Sequence, residues 1–148
     1  MRPAESVKVT GTIEVECVDL RYDQGEVVCA LYDRAESFPR ENGVRAGAYS
    51  AIEGRRARCR FEGIPAGRYA VAAFHDEDGD RKLRTVLGIP REGYGFSNDA
   101  RPGTFGPPKF AAAAFDFDGT TTRVTVRIHY PEGGARRRYT PPPRRSHD

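Results

Sequence analysis

The chain has 148 residues, of which 38% are hydrophobic and 30% are charged, and this composition is typical of a single soluble globular domain. No stretch approaches the roughly 20 consecutive apolar residues that a membrane helix requires, and residues 1–5 contain no apolar segment of a secretory signal. Residues 131–148 carry five arginines against Glu132 and Asp148, which accounts for the whole net charge of +3, so the rest of the chain has no excess charge that would bind nucleic acid.

The first predicted element is a β-strand over residues 7–17, where apolar side chains occupy every second position and polar side chains lie between them. Residues 23–25 read Asp-Gln-Gly, which is typical of a turn. Residues 27–32 form a short apolar run that indicates a central strand. The sequence therefore predicts a first β-hairpin over residues 7–32.

The middle of the chain contains two further predicted strands. Residues 33–56 are predicted to be loop, apart from one helical turn at residues 35–39 that the proline ends. Residues 57–61 alternate between apolar and arginine side chains, which is the pattern of a half-buried strand. After a turn with proline and glycine at residues 64–67, a buried strand is predicted over residues 69–76.

A loop rich in glycine and proline follows, over residues 88–108, where regular structure cannot persist. Its aromatic residues predict an ordered loop that packs on the sheets, because long loops in compact domains are either functional or disordered. Residues 111–114 are predicted to form a helical turn or the start of a strand. Asp118 and Gly119 are predicted to form the tight turn of a hairpin, and the last strand is predicted over residues 124–130.

These elements predict an all-β fold, a sandwich of about seven strands of the immunoglobulin or prealbumin type. The predicted domain covers residues 1–130. Residues 131–148, rich in arginine and proline, are predicted to be a disordered tail. Three widely spaced cysteines without a Cys-x-x-Cys pair argue against a zinc site, and they are predicted to be buried thiols: Cys17, Cys29 and Cys59.

Three stretches of the chain resemble a known family. They read FEGIPAGRYAVAAFHDEDGD at residues 61–80, LGIPREGYGFSN at residues 87–98 and GPPKF at residues 106–110. In this order they are similar to the bacterial domain of unknown function family 2141, over about residues 7–130. The resemblance implies a sandwich-like β domain, often exported, with no known activity. Arg81 and Arg84 stand where that family usually has a glycine and an acidic residue.

An acidic segment is a candidate metal site. Closely spaced carboxylates are typical ligands of calcium, and three aspartates occupy alternate positions here: Asp76, Asp78 and Asp80. Arg81 and Leu87 stand where an EF-hand would have glycine and glutamate, so the EF-hand interpretation fails. The alternatives left open are calcium binding at a looser site and a solvated acidic turn.

Aromatic rings beside small polar side chains form the candidate ligand site, because such groups are typical of shallow sites for sugars or peptides. The site comprises His75, Tyr94, Phe96, Ser97, Asn98 and Phe105. In the alternative interpretation the rings cover the open end of the sandwich, and the polar side chains hydrogen-bond loop backbone.

A hydrolytic enzyme that uses His75, Asp76 and Ser97 is the competing interpretation. Ser97 does not lie in a Gly-x-Ser-x-Gly elbow. Neighbouring His and Asp residues on a strand point to opposite faces of the sheet, which disfavours a direct hydrogen bond between them. The motif Asp116-Phe-Asp-Gly-Thr120 matches that of haloacid-dehalogenase-type phosphatases, but too little chain follows it to supply the rest of that α/β site.

We therefore expect a non-catalytic binding or structural module. The family resemblance suggests a setting outside the cytoplasm, in the bacterial cell envelope, while the sequence itself does not give the compartment. Its expected partner is a small ligand or a protein, and calcium is the one cofactor left open. The arginine tail would give weak, salt-sensitive contacts and no specific nucleic-acid binding.

Overall fold

The computed structural model describes most of the chain before the tail. The described residues are 9–40, 43–77, 85–86, 89–90, 93–103 and 106–130. Within them, the chain forms two β-sheets that pack face to face, which confirms the predicted all-β sandwich. No helix in these ranges is long and apolar enough to cross a membrane.

The first sheet has three strands in the order β10–β1–β4, which span Thr121–Arg127, Thr10–Val18 and Ala57–Pro65. Strand β1 lies in the centre, antiparallel to β4 and parallel to β10. Apolar and polar side chains alternate along β1 and β4, so one face of the sheet is buried and the other carries charge.

The second sheet has the order β3–β2–β5–β8, with strands Ala46–Ala51, Glu26–Tyr32, Gly67–Asp76 and Tyr94–Phe96. A further strand, β9 (Phe115–Phe117), pairs with the start of β5. Short strands β6 (Thr85–Val86) and β7 (Ile89–Pro90) pair with each other. The helix α1 (Phe110–Ala113) and two 3-10 turns, Ala35–Ser37 and Ser97–Asp99, complete the described elements.

The main core lies between the two sheets. It is built from the inward residues of β1, β2, β4, β5 and β10, which alternate with outward residues as the period of two requires. The three cysteines lie in it as buried free thiols, as predicted, with Sγ of Cys17 3.8 Å from Sγ of Cys29. Burial is the main reason that the pKa of Cys29 is well above its ordinary value.

A second, smaller core covers the outer face of the second sheet. Its buried members come from β2, β5, β8, α1 and the loop after β2: Tyr32, Phe38, Ala70, Phe96 and Ala113. Edge-to-face ring contacts centre on Phe38, whose ring centroid lies 5.1 Å from that of Tyr32 and 5.7 Å from that of Phe96. The second sheet is therefore buried on both faces.

Strand β8 approaches the end of β10 very closely. A Cβ atom on Gly95 would lie 2.1 Å from the carbonyl oxygen of Arg127 and 2.9 Å from Cγ1 of Val126. Just beyond this contact, Tyr94 and His129 exchange two backbone hydrogen bonds of 2.8 Å. Glycine at position 95 is required because no side chain fits between the backbones.

The predicted hairpin over residues 7–32 is wrong. Strand β1 pairs with β4 and β10, whereas β2 pairs with β3 and β5 in the other sheet. The chain crosses between the sheets after β1, where Asp19 adopts a φ of 64° and Leu20 enters the core.

The predicted hairpin turn at Asp118 is also a crossing between sheets, because β9 pairs with β5 and β10 pairs with β1. The Asp118 carboxylate accepts hydrogen bonds from the backbone N–H and the hydroxyl of Thr120 and stabilises the turn. Strand β3 lies in a segment that was predicted to be loop. Its sequence, Ala-Gly-Ala-Tyr-Ser-Ala, has no β-branched residue and therefore does not show the usual composition of a strand.

Candidate functional site

His75 lies at the end of β5 on the face that points toward the first sheet, and its side chain is fully buried. Its Nε2 is 2.6 Å from the backbone oxygen of Gln24. Its Nδ1 is 2.8 Å from the hydroxyl oxygen of Tyr130. Since a carbonyl oxygen can only accept, Nε2 carries the proton and Nδ1 accepts the hydrogen bond of the phenol.

Tyr130 connects this histidine to the loop after β1. Its hydroxyl oxygen accepts a hydrogen bond from the backbone N–H of Arg21 at 2.8 Å. Burial raises the pKa of Tyr130 to about 12, so the phenol stays protonated at neutral pH and donates to His75. The hydrogen bonds run in one direction, from Arg21 through Tyr130 and His75 to Gln24.

His75 is neutral at neutral pH. Burial is the largest cause that lowers its pKa, and the Arg21 charge acts in the same direction, whereas the Gln24 carbonyl and the Glu77 carboxylate oppose it. The ring of Tyr22 covers it at a centroid distance of 5.1 Å. The neutral imidazole of His75 therefore has a hydrogen-bond partner at both nitrogens and is buried away from solvent.

A shallow cavity of about 400 Å³, largely open to solvent, lies beside Tyr130. It is lined by residues 19–21, residues 54–56 and Tyr130, and we call it the arginine cavity because Arg21, Arg55 and Arg56 lie in its wall. The guanidinium carbon of Arg21 lies 4.1 Å from the ring centroid of Tyr130, a cation–π contact. The cavity therefore joins positive charge to an aromatic wall.

The far wall of the arginine cavity is a tight turn. Glu53 and Arg56 exchange backbone hydrogen bonds of 2.9 and 3.1 Å. The two residues between them, Gly54 and Arg55, have φ values of 61° and 63°. Positive φ at both central positions is what a two-residue turn of type I′ requires, and arginine is an uncommon residue in that conformation.

This turn is held against the loop after β1. The carboxylate of Asp23 accepts the backbone N–H groups of Gly54 and Arg55 at 3.1 and 2.8 Å, and the Arg55 carbonyl accepts the N–H of Leu20 at 3.2 Å. Since Leu20 is buried in the main core, both walls of the cavity are fixed to the sandwich.

The structure separates the residues of the predicted ligand site. His75 lies on the inner face of the second sheet, whereas Tyr94 and Phe96 pack on its outer face. By register, Ser97 lies opposite Val71, roughly 13 Å along the sheet from His75. Phe105 lies outside the described residues. Ligand binding at these positions stays a prediction.

Ser97 and Asn98 direct their polar groups to backbone. The fully buried hydroxyl of Ser97 accepts the N–H of Val71 at 2.9 Å and donates to the carbonyl of Ala113 at 2.6 Å. The amide of Asn98, at a φ of 60°, donates to the carbonyl of Ala114 at 2.8 Å. Both side chains tie α1 to the second sheet.

The predicted calcium ligands fall mostly outside the described residues. Asp76 ends β5 with a fully buried side chain, while Asp78 and Asp80 are not described. Among the described residues, no three His, Cys, Asp or Glu side chains are arranged to hold a metal ion. Calcium binding stays a prediction.

Sequence reasoning missed the residues that form the arginine cavity, namely Arg21, Arg55 and Tyr130. Tyr130 was predicted as the end of the last strand, and Gly54 with Arg55 lay in a segment predicted to be loop. The available signal was local: a glycine between polar residues indicates a tight turn. Nothing local indicates that this turn meets residues 19–21 and the end of the chain's last strand.

A comparison with protein-family models matches residues 15–125 to a family described as an uncharacterised protein conserved in bacteria, DUF2141. A comparison with curated proteins gives no match. Among solved structures, the chain is similar to a pilus-presented adhesin, with 10% sequence identity, a TM-score of 0.30 and coverage of 85% of this chain and 28% of that chain. That likeness is too distant to carry an argument about function. Because the family model covers most of the sequence, the chain belongs to the DUF2141 family.

Proposed function

We propose that the chain is a non-catalytic binding module that holds its ligand in the arginine cavity. The observation that carries this proposal is the cavity itself, a concave surface of about 400 Å³ with fixed walls, three arginines and an aromatic ring. Ligand sites are concave and largely preformed, with a few polar groups that orient the ligand. The cell envelope is the proposed setting, which the family resemblance alone suggests.

The absence of catalysis is supported by the state of the residues that a hydrolase would use. A nucleophilic serine needs a free hydroxyl beside a base, but the Ser97 hydroxyl is buried and bonded to backbone. His75 lies roughly 13 Å away along the sheet, with both ring nitrogens engaged. Neither group reaches a bound substrate without rearrangement of the core.

A two-part experiment tests the proposal. Isotope-labelled protein is screened by NMR against a panel of acidic, basic and neutral small molecules, and we expect saturable shifts at Leu20, Gly54 and Tyr130. The same protein is assayed with p-nitrophenyl esters and phosphates, with Ser97→Ala as the matched variant. Turnover that disappears in Ser97→Ala, or ligands that all bind away from the cavity, would contradict the proposal.

A further inference from the structure

Two of the three guanidinium groups in the arginine cavity, those of Arg21 and Arg55, have no ion-pair partner among the described residues. Arg56 pairs with Glu16 through one nitrogen at 3.1 Å. The acid in the cavity wall, Asp19, is itself paired with Arg127. Two arginine side chains at the cavity are therefore available to an anion, next to the Asp23 carboxylate that caps the turn and the Glu77 charge that acts on Tyr130.

Arg21 is held in position before any ligand arrives. Its guanidinium carbon lies 4.1 Å from the ring centroid of Tyr130, and its backbone N–H donates a hydrogen bond to the hydroxyl of the same residue. A guanidinium that stacks on a ring keeps its edge N–H groups free to donate. Less side-chain entropy is then lost when an anion binds.

Arg55 occupies a position that favours glycine. Its φ of 63° lies in the left-handed region, which costs an ordinary residue roughly 1 to 2 kcal/mol. Its side chain is exposed in the cavity wall and packs in neither core. Residues held in such conformations cluster at functional sites, which makes Arg55 a candidate for ligand binding.

We propose that the arginine cavity binds a small ligand through an oxyanion, a carboxylate or a phosphate, held between the guanidinium groups of Arg21 and Arg55. This inference rests on the proposed function, since it names the class of ligand for the same cavity. The planar fork of N–H donors on arginine matches two oxygens of either group. A volume of about 400 Å³ lies in the range for small-molecule sites.

The test is an NMR titration of the labelled chain at low salt with citrate and, separately, inorganic phosphate, with glucose as the neutral probe. We expect at least one of the two anions to shift the arginine side-chain signals of Arg21 and Arg55 and to saturate. Added sodium chloride should weaken this binding because ions screen the contact. The two anions distinguish a carboxylate ligand from a phosphate ligand.

Variants distinguish binding at a specific site from nonspecific attraction of anions to the positive charge of the protein. Arg21→Ala and Arg55→Gly should each weaken anion binding about tenfold or more, because a charge-assisted hydrogen-bonded pair contributes roughly that factor. Arg55→Gly also relieves backbone strain, so it provides a folded variant. Arg21→Lys keeps the charge but loses the fork, and it should weaken binding as well. Arg68→Ala, at the opposite end of β5 from His75, removes an exposed arginine and should change nothing.

The outcomes distinguish the two proposals. If glucose shifts the cavity and neither anion does, the ligand class is wrong while the binding module stands. If Arg68→Ala weakens anion binding as much as Arg21→Ala, or the shifts do not saturate, the oxyanion site is wrong. If no probe shifts the cavity, the oxyanion site is again wrong, and the broader panel described above decides whether the binding module survives.

Discussion

The hydroxyl oxygen of Tyr130 lies 2.8 Å from Nδ1 of His75. Tyr130 follows β10 of the first sheet, and His75 is the last residue but one of β5 in the second sheet. The hydrogen bond therefore joins the two sheets at the edge of the main core, beside the arginine cavity.

Replacement of Tyr130 by phenylalanine should lower the free energy of unfolding by about 2 kcal/mol. The ring would remain, but Nδ1 of His75 and the N–H of Arg21 would lose their partner, and an unpaired buried polar group costs about 1 to 3 kcal/mol. Urea unfolding measures the change. Tyr94→Phe is the matched control, because the Tyr94 hydroxyl has no hydrogen-bond partner among the described residues. Equal losses in the two variants would show that the hydrogen bond to His75 contributes nothing.

The stability of the fold should decrease as the pH falls below about 6.5, the ordinary pKa of histidine. Burial lowers the pKa of His75 in the folded state, so the unfolded chain takes up the proton first, and protonation favours unfolding until the folded-state pKa is reached. Above about pH 6.5 this group contributes no pH dependence.

Urea unfolding between about pH 7.5 and about pH 5 measures this dependence. His75→Gln is the control, because the amide of glutamine donates to the Gln24 carbonyl without titrating. We expect a smaller loss of stability on acidification in this variant. If the free energy of unfolding changes equally with pH in the wild type and in His75→Gln, then groups other than His75 cause the dependence.

Arg55→Gly should raise the free energy of unfolding by roughly 0.5 to 1 kcal/mol. Relief of the left-handed conformation gains about 1 to 2 kcal/mol, which exceeds the extra chain entropy of glycine, about 0.5 to 1 kcal/mol. Thermal unfolding measures the gain. Gly54→Ala should act in the opposite direction, because φ is 61° there as well. A destabilised Arg55→Gly variant would mean that the arginine side chain stabilises the turn.

Gly95→Ala should destabilise the fold by about 1 to 3 kcal/mol, the usual cost of overpacking. The new methyl group would lie 2.1 Å from the carbonyl oxygen of Arg127, and neither backbone can withdraw without loss of sheet hydrogen bonds. Gly103→Ala makes the same chemical change where no atom of the described residues lies within 4 Å of the added carbon. Chemical denaturation of both variants checks the prediction, which fails if the two proteins unfold at the same midpoint.

The sequence predicted β1, β4 and β10 from their period of two, and β2 and β5 from their apolar runs. It did not predict their partners. Alternation of apolar and polar side chains along a strand indicates that one of its faces is buried. The same alternation is expected whichever strand pairs with it, so it does not identify the partner. The turns after β1 and after β9 contain residues typical of hairpins, yet both cross from one sheet to the other, because the core residue Leu20 and the Asx turn at Asp118 direct the chain there.

The residues that line the arginine cavity were not predicted from the sequence, for the same reason. His75 was predicted within a different site, with Tyr94, Phe96, Ser97, Asn98 and Phe105, and its link to the arginine cavity is the hydrogen bond to Tyr130. Its partners, Gln24 and Tyr130, are 51 and 55 residues away in the sequence. Only the packing of the sheets brings these residues and the turn of residues 53–56 together, and no local pattern records that packing.

The parallel pairing of β1 with β10 has a mechanical consequence. Because these two strands run the same way, the start of β1 and the end of β10 lie at opposite ends of the sandwich. Tension applied through Val9 and Tyr130 would slide one strand along the other and strain all the hydrogen bonds between them at once, instead of peeling them apart in succession. Rupture under such a load would therefore require several hydrogen bonds to break together.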